Sequence, residues 1–323
     1  MRAVIASGHG GPEVLTAVDR PRPVPGPGEV LIQIAAAGVN RADVVQREGH
    51  YPPPPGASDV LGLECAGVIV ELGEGVTDLD VGESVCALLS GGGYAEFATV
   101  PAGQVAPVSP GLSLVEAASV MEAACTVWSN VFWLGGLGRD DTVLVHGGSS
   151  GIGVMAIQLA VAAGAKVATT AGSSAKLAVC RELGADLTIN YHEADFVAEM
   201  ASAGMRADVV LDIVGAPYLR RNIEVLAPHG RLVVIALQGG SVGELDLAQL
   251  MLHRASVFGT SLRARSPQKK AMIVARTVGH VWPLLSDGTV RPLVHQTFCL
   301  EDAADAHRML ERSDHIGKLV LTM

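Results

Sequence analysis

Val143-Leu144-Val145-His146-Gly147-Gly148-Ser149-Ser150-Gly151-Ile152-Gly153 is the stretch that decides the fold. A short apolar run passes into a glycine-rich turn and then into a helix start. Backbone N–H groups at a helix N-terminus attract a pyrophosphate, and side chains there would block its approach. Against the pattern G-x-G-x-x-G, Gly148 and Gly153 take the first and third glycine positions. Ser150 takes the second, and Gly151 is an extra glycine. A glycine turn alone is a weak signal, and its setting decides its meaning.

C-terminal to the turn the chain keeps a strand–helix–strand rhythm. Thr142–His146, Lys166–Thr170, Leu187–Asn190, Asp208–Asp212, Arg231–Ala236 and Ser256–Thr260 read as short strands. Helices are expected at Ile152–Ala163, Ala175–Leu183 and Pro217–Leu226, with Gly164 and Gly184 at C-cap positions. This order predicts a doubly wound parallel sheet, an α/β Rossmann-type unit. N-terminal to the turn, Val30–Ala36, Ala66–Val70, Ser84–Leu88 and Tyr94–Val100 are apolar runs among Gly and Pro. They predict a compact β-barrel-like unit. After Arg263, Ser266-Pro267 opens a helix running to about Leu285. A helix over Glu301–Arg312 and a strand over Lys318–Thr322 close the chain. Periodicity leaves open whether this tail extends the parallel sheet or returns to the N-terminal unit.

The end of the second strand bears on the choice of dinucleotide. Sites selective for NAD place a carboxylate there for the ribose 2′-hydroxyl. Here the segment is Thr169-Thr170-Ala171-Gly172-Ser173-Ser174-Ala175-Lys176, without an acid. Ser173, Lys176 and Tyr191 offer donors and a positive charge, which suits a 2′-phosphate and hence NADPH.

Composition limits the alternatives. The 323 residues suggest two domains, and 49% hydrophobic with 17% charged residues allows large cores. A formal charge of −10 disfavours nucleic acid and anionic membranes as bulk partners. No secretory leader and no long apolar run is evident, so a cytoplasmic chain is expected. Cys65, Cys86, Cys125, Cys180 and Cys299 stand singly, as reduced thiols would.

Several ordered motifs carry a family resemblance. They are Gly38-Val39-Asn40-Arg41-Ala42-Asp43, Tyr51-Pro52-Pro53-Pro54-Pro55-Gly56, Leu61-Gly62-Leu63-Glu64-Cys65-Ala66-Gly67 and Gly91-Gly92-Gly93-Tyr94-Ala95. The glycine turn, Ala171-Gly172-Ser173, Ile189-Asn190-Tyr191, Ser261-Leu262-Arg263 and His315-Ile316-Gly317-Lys318 continue them. With them the chain resembles the zinc-independent quinone oxidoreductase, or zeta-crystallin-like, branch of the medium-chain dehydrogenase/reductase superfamily. The resemblance implies a GroES-like catalytic domain from residues 1–122 and 263–323, with a Rossmann NADPH domain, 123–262, inserted. It implies an active site in the cleft between them.

Carried over by resemblance, Asn40, Tyr51 and Thr126 approach the nicotinamide end. Ser149, Ser150, Gly151, Ile152 and Gly153 hold the pyrophosphate, and Ser173, Lys176 and Tyr191 the adenosine phosphate. Gly215, Leu237, Gln238, Gly239, Ser261, Leu262 and Arg263 line the nicotinamide side, with Lys318 nearby. Asn40, Asp43 and Tyr51 are the catalytic candidates, orienting acceptor and ribose or relaying a proton; Asp43 alternatively braces its own short helix.

Zinc-dependent relatives use a Cys, a His and a later Cys as ligands. Asn40, Leu63 and Glu122 stand at the matching positions, so no metal is expected. Without a Lewis acid, alcohol oxidation is disfavoured and quinone reduction favoured. An enone, 2-alkenal or enoyl-thioester reductase is the rival enzyme, with Tyr51 as proton donor. An NADPH-binding sensor or structural protein of low turnover is the rival from another class. The resemblance also implies a homodimer joined through the edge strand Ser256–Ser261. The purified active protein is expected to contain no stoichiometric metal. One tightly bound zinc per chain by elemental analysis, with activity lost to a chelator, would contradict this.

Overall fold

The computed structural model describes residues 1–323. The chain divides into two units, Met1–Cys125 with Leu262–Met323, and Thr126–Ser261.

The second unit is built on a six-stranded parallel sheet. Its strands in chain order are Thr142–His146, Lys166–Ala171, Leu187–Asn190, Ala207–Asp212, Leu226–Val234 and Ser256–Gly259. Their order across the sheet, counted along the chain, is 3-2-1-4-5-6. This is the Rossmann order, whose reversal beside strand 1 opens the crevice where dinucleotides bind. Every residue of strand 1 is buried, because helices cover both faces of a parallel sheet. Leu144, Ala168, Ile189, Val210 and Leu232 carry one core from strand to strand.

Two features depart from the sequence reading. The fifth strand begins at Leu226, earlier than expected, because pairing with the fourth resumes across a register shift at Ala207/Val209. The Pro228-His229-Gly230 segment lies inside that strand, with His229 at φ 65°. Helices at Phe196–Ser202 and Leu247–His253 were not anticipated. Each is seven residues long, too short for periodicity to register, and each is opened by an aspartate cap, Asp195 or Asp246.

In the first unit, Glu29–Val39 is the organising strand. It pairs antiparallel with Glu64–Leu72, Phe97–Pro101 and Lys318–Thr322. The last strand thus returns to the N-terminal half, Leu319 opposite Val39, which settles the tail. Ile32, Ile34, Ala37, Cys65, Val85, Tyr94 and Leu321 share one core. The helix Pro267–Ser286 starts at the Ser266 cap, whose hydroxyl accepts the Lys269 N–H at 3.3 Å.

Candidate functional site

In the first unit the site is organised by a buried ion pair. Lys318 Nζ lies 2.6 Å from Glu64 Oε1, with side-chain exposures of 7% and 0%. The ammonium also donates to Asn40 Oδ1 at 2.6 Å and to the Val39 carbonyl at 3.2 Å. An ammonium has three protons, and all three have acceptors. That fixes Asn40, since only its oxygen can face a donor. Its Nδ2 donates to Glu64 Oε1 at 3.0 Å and to the Gly38 carbonyl at 3.3 Å. Both amide protons are therefore spent, and Asn40 presents an acceptor rather than a donor to anything bound beside it. The other carboxylate oxygen of Glu64 accepts the Glu122 N–H at 2.9 Å. Gly38 leaves room for the pair: a Cβ there would meet Glu64 Oε1 at 2.3 Å.

Asp43 is fully buried and touches no open surface. Its carboxylate accepts the Asn40 N–H at 2.8 Å, the Gly62 N–H at 3.2 Å and the Tyr94 hydroxyl at 3.1 Å. Burial raises it to about 6, against these donors and the Lys318 charge. These contacts match a brace that positions Asn40, not a group acting directly on a ligand. The chain behind it has one polarity. Arg47 can only donate, so His307 Nδ1, 3.3 Å away, accepts. His307 Nε2 then carries the proton, donating to the Tyr94 hydroxyl at 3.0 Å, which in turn donates to Asp43. Burial first, then Arg47 and Arg41, push His307 down to about 3, so the neutral form that this polarity requires persists. Neither Tyr94 nor His307 was singled out from sequence, because neither lies near Asp43 along the chain.

Tyr51 is placed with Arg263. The guanidinium lies 5.2 Å from the Tyr51 ring centroid and donates to the Tyr51 carbonyl at 3.1 Å. Leu262, beside it in sequence, is buried. Leu63 is also buried, and its side chain offers no ligand atom.

In the second unit the glycine turn forms as the sequence suggests. Ser150 caps the helix Gly151–Ala162, accepting the Gly153 N–H at 3.0 Å. Three of its glycines have a steric reason. Gly147 has φ 74°; a Cβ at Gly148 would meet Thr169 Oγ1 at 2.1 Å, and one at Gly153 the Gly147 carbonyl at 2.3 Å. Ser149 is buried at the turn. Beneath it His146, pushed down to about 4 by burial, donates from Nε2 to Asn222 Oδ1 at 2.7 Å. Its Nδ1 faces Thr170 Oγ1 at 3.1 Å.

At the end of the second strand Tyr191 lies against Gly172, and Ser173 and Lys176 open the helix Ser174–Glu182 that follows. The Ser173 oxygen accepts the Lys176 N–H at 3.4 Å, which keeps the hydroxyl proton for a ligand. Gly172 permits the approach: a Cβ there would lie 2.5 Å from the Tyr191 hydroxyl and 3.2 Å from His192 Nε2. His192 is the residue the sequence reading missed, although it directly follows Tyr191. Gly215, at φ 85°, packs against Leu237 and Gly240, so Leu237, Gln238 and Gly239 border it. Gln238 and Gly239 donate backbone N–H groups to the Ile213 and Val214 carbonyls at 3.2 and 2.8 Å. Asp212, also unanticipated, shapes that turn by accepting the Val214 and Gly215 N–H groups at 2.7 and 3.1 Å. Burial raises its carboxyl to about 6. The Thr126 carbonyl accepts Asn130 Nδ2 at 2.8 Å, and Asn130 Oδ1 accepts the Thr260 hydroxyl at 2.6 Å. Thr126 and the strand end preceding Ser261 are thereby held together.

The sequence also matches known families. The alcohol dehydrogenase GroES-like domain matches residues 26–110 and the zinc-binding dehydrogenase domain residues 151–275. A solved structure described as an NAD-dependent alcohol dehydrogenase is 33% identical, with a TM-score of 0.87 and both chains covered fully. The Escherichia coli quinone oxidoreductase complexed with NADPH is 28% identical with a TM-score of 0.89, covering 100% of this chain and 99% of that one. A phenolphthiocerol/phthiocerol polyketide synthase subunit of Mycobacterium tuberculosis is 31% identical over 301 residues. That match spans 91% of this chain but 14% of the synthase. The chain belongs to the medium-chain dehydrogenase/reductase superfamily, in its zinc-independent branch.

Lys318→Met leaves the Glu64 carboxylate buried without its counter-charge, a change that costs about 3–5 kcal/mol. Urea unfolding should show this loss, and Glu64→Gln combined with Lys318→Met should recover much of it. Equal midpoints for the single and double variants would mean that the Glu64 charge is not what Lys318 holds.

Proposed function

We propose that the protein is a cytoplasmic NADPH-dependent, metal-independent quinone reductase. The observation that carries the coenzyme is the end of the second strand. Ala171 is apolar and buried, so no acid rewards a bare ribose. Gly172 lets the Tyr191 hydroxyl and His192 approach, and Ser173 and Lys176 stand at the start of the helix that follows. This donor set fits a 2′-phosphate, and the turn Ser149–Gly153 fits a pyrophosphate. The E. coli relative's complex with NADPH supports the same reading.

Bound NADPH supplies a hydride from its nicotinamide. The chain's own residues then orient and exclude water, which is catalysis by positioning. Asn40, with its amide protons committed, suits a hydroxyl donor such as the ribose and not a quinone carbonyl. Orientation of the acceptor falls to Tyr51, held beneath Arg263. A quinone is electrophilic enough that no metal is needed to withdraw charge, and its reduced oxygens take protons from water.

Likeness to a polyketide synthase segment favours a second reading, reduction of a conjugated carbon–carbon double bond. There the α-carbon must be protonated, and Tyr51 is the donor. Steady-state assays with 1,2- and 1,4-quinones beside 2-alkenals separate the two. A clear preference for alkenals would overturn the quinone reading, and no turnover of either would favour a binding protein.

We also propose a homodimer. The strand Ser256–Gly259 is the sheet edge. Val257 and the nearby Leu247, Met251 and Leu252 are exposed, an apolar surface flanking unpaired backbone. Light scattering at micromolar concentration should give twice the chain mass; a monomer would contradict it.

For the coenzyme, a charge-assisted contact from half-buried Lys176 is worth about tenfold in affinity. Lys176→Ala should raise the KM for NADPH by about that factor and leave NADH nearly unchanged. Ala171→Asp should move the preference toward NADH. Equal use of both coenzymes by the wild type, or equal weakening of both by Lys176→Ala, would mean that the phosphate lies elsewhere.

A further inference from the structure

Two buried cations in the first unit lack the partners that buried cations usually have. Arg263 and Lys270 are each 4% exposed. The hydrogen-bond partners of both are neutral oxygens. Arg263 Nε donates to the Ser90 carbonyl at 2.8 Å and Nη1 to the Tyr51 carbonyl at 3.1 Å. Lys270 Nζ donates to the Ser90 hydroxyl. The remaining guanidinium nitrogen, Nη2, is buried with no acceptor. In a planar guanidinium Nη2 shares one edge with Nε and the other with Nη1. Its protons therefore lie beside Ser90 and Tyr51. A buried N–H without an acceptor is costly, and an oxygen at that place would recover the loss.

The helix that carries Lys270 adds a third positive contribution. It runs from Pro267 to Ser286, and its first turn contains no acid. The N-terminal end of a helix favours negative charge, yet Lys269 and Lys270 stand there. Burial pulls the Lys270 ammonium below its ordinary value, Glu122 opposes that, and Arg263 adds to it. Asp43, the other carboxylate acting on Arg263, already accepts three hydrogen bonds elsewhere. Two cations thus stand together, with Glu122 the carboxylate that acts on both.

We propose that Arg263, Lys270 and Ser90 form a binding site for an anionic substituent of the acceptor, a carboxylate, sulfonate or phosphate. The site deepens the reductase reading and rests on it. Its ligand is assigned to the acceptor because Arg263 stacks on Tyr51, the residue proposed to orient that molecule. The phosphates of the dinucleotide have their own donors at Ser149–Gly153 and around Gly172. Two donors on either side of Ser90 match two oxygens of one anionic group.

The test compares 1,4-naphthoquinone-2-sulfonate with 1,4-naphthoquinone at saturating NADPH. Lys270→Met should lower kcat/KM for the sulfonate about tenfold more than for the neutral parent, chiefly through KM. Lys270→Arg should restore the ratio. Because the ratio is taken within one protein, partial misfolding cancels. A ratio unchanged by Lys270→Met would overturn the site while leaving quinone reduction intact. If neither quinone is turned over, the reductase reading fails, and calorimetric titration of naphthalene-2-sulfonate into the NADP⁺-saturated protein still decides the site. Saturable binding that Lys270→Met weakens about tenfold supports it; no binding, or binding indifferent to the substitution, overturns it.

Discussion

The Glu64–Lys318 ion pair is the constraint on which the catalytic unit depends. It joins a strand near the start of the chain to the last strand, and it does so with every proton of the ammonium assigned. A buried pair is weak evidence for stability, because desolvation offsets much of its attraction. What it supplies here is orientation. The pair dictates which way the Asn40 amide faces, and Asp43 holds the backbone of the same residue from behind. Gly38 is small because the carboxylate must come this close, so the Gly38-Val39-Asn40 motif and the Lys318 side chain are two halves of one device.

The dinucleotide unit uses backbone in the same way that the catalytic unit uses charge. The strand order 3-2-1-4-5-6 places the crevice beside the first strand, and the turn after that strand presents a helix N-terminus capped by Ser150. Around Gly172 and Gly215 the absence of a side chain lets distant segments close in, Tyr191 and His192 in one case and Leu237 with Gly240 in the other. Aspartates finish the design: Asp212 organises the turn at Gly215, and burial holds it near 6 as it holds Asp43.

The Rossmann sheet was legible because its strands are short apolar runs punctuated by Gly, and because Gly148 and Gly153 keep fixed spacing. The missing acid at Ala171 is a local signal, and it is what draws attention to Ser173, Lys176 and Tyr191. Short capped helices such as Leu247–His253 were not, since one turn or two gives periodicity too little length to show. The roles of Tyr94 and His307 escaped notice for a different reason. Their roles arise from partners dozens to hundreds of residues away, and no local pattern marks a side chain for such a meeting. Periodicity left the C-terminal tail open for the same reason, since a strand's sequence does not name the strand it pairs with, and only the family resemblance placed it.

We propose that this fold passes a hydride from NADPH to an electrophile without a metal. An anaerobic single-turnover experiment with C4-deuterated NADPH and a quinone tests it most directly. The expected result is one equivalent of reduced quinone per NADPH consumed, with slower oxidation for the coenzyme deuterated on the transferred face. Tight NADPH binding with no oxidation by any quinone or enone, or turnover that appears only on adding zinc, would contradict it.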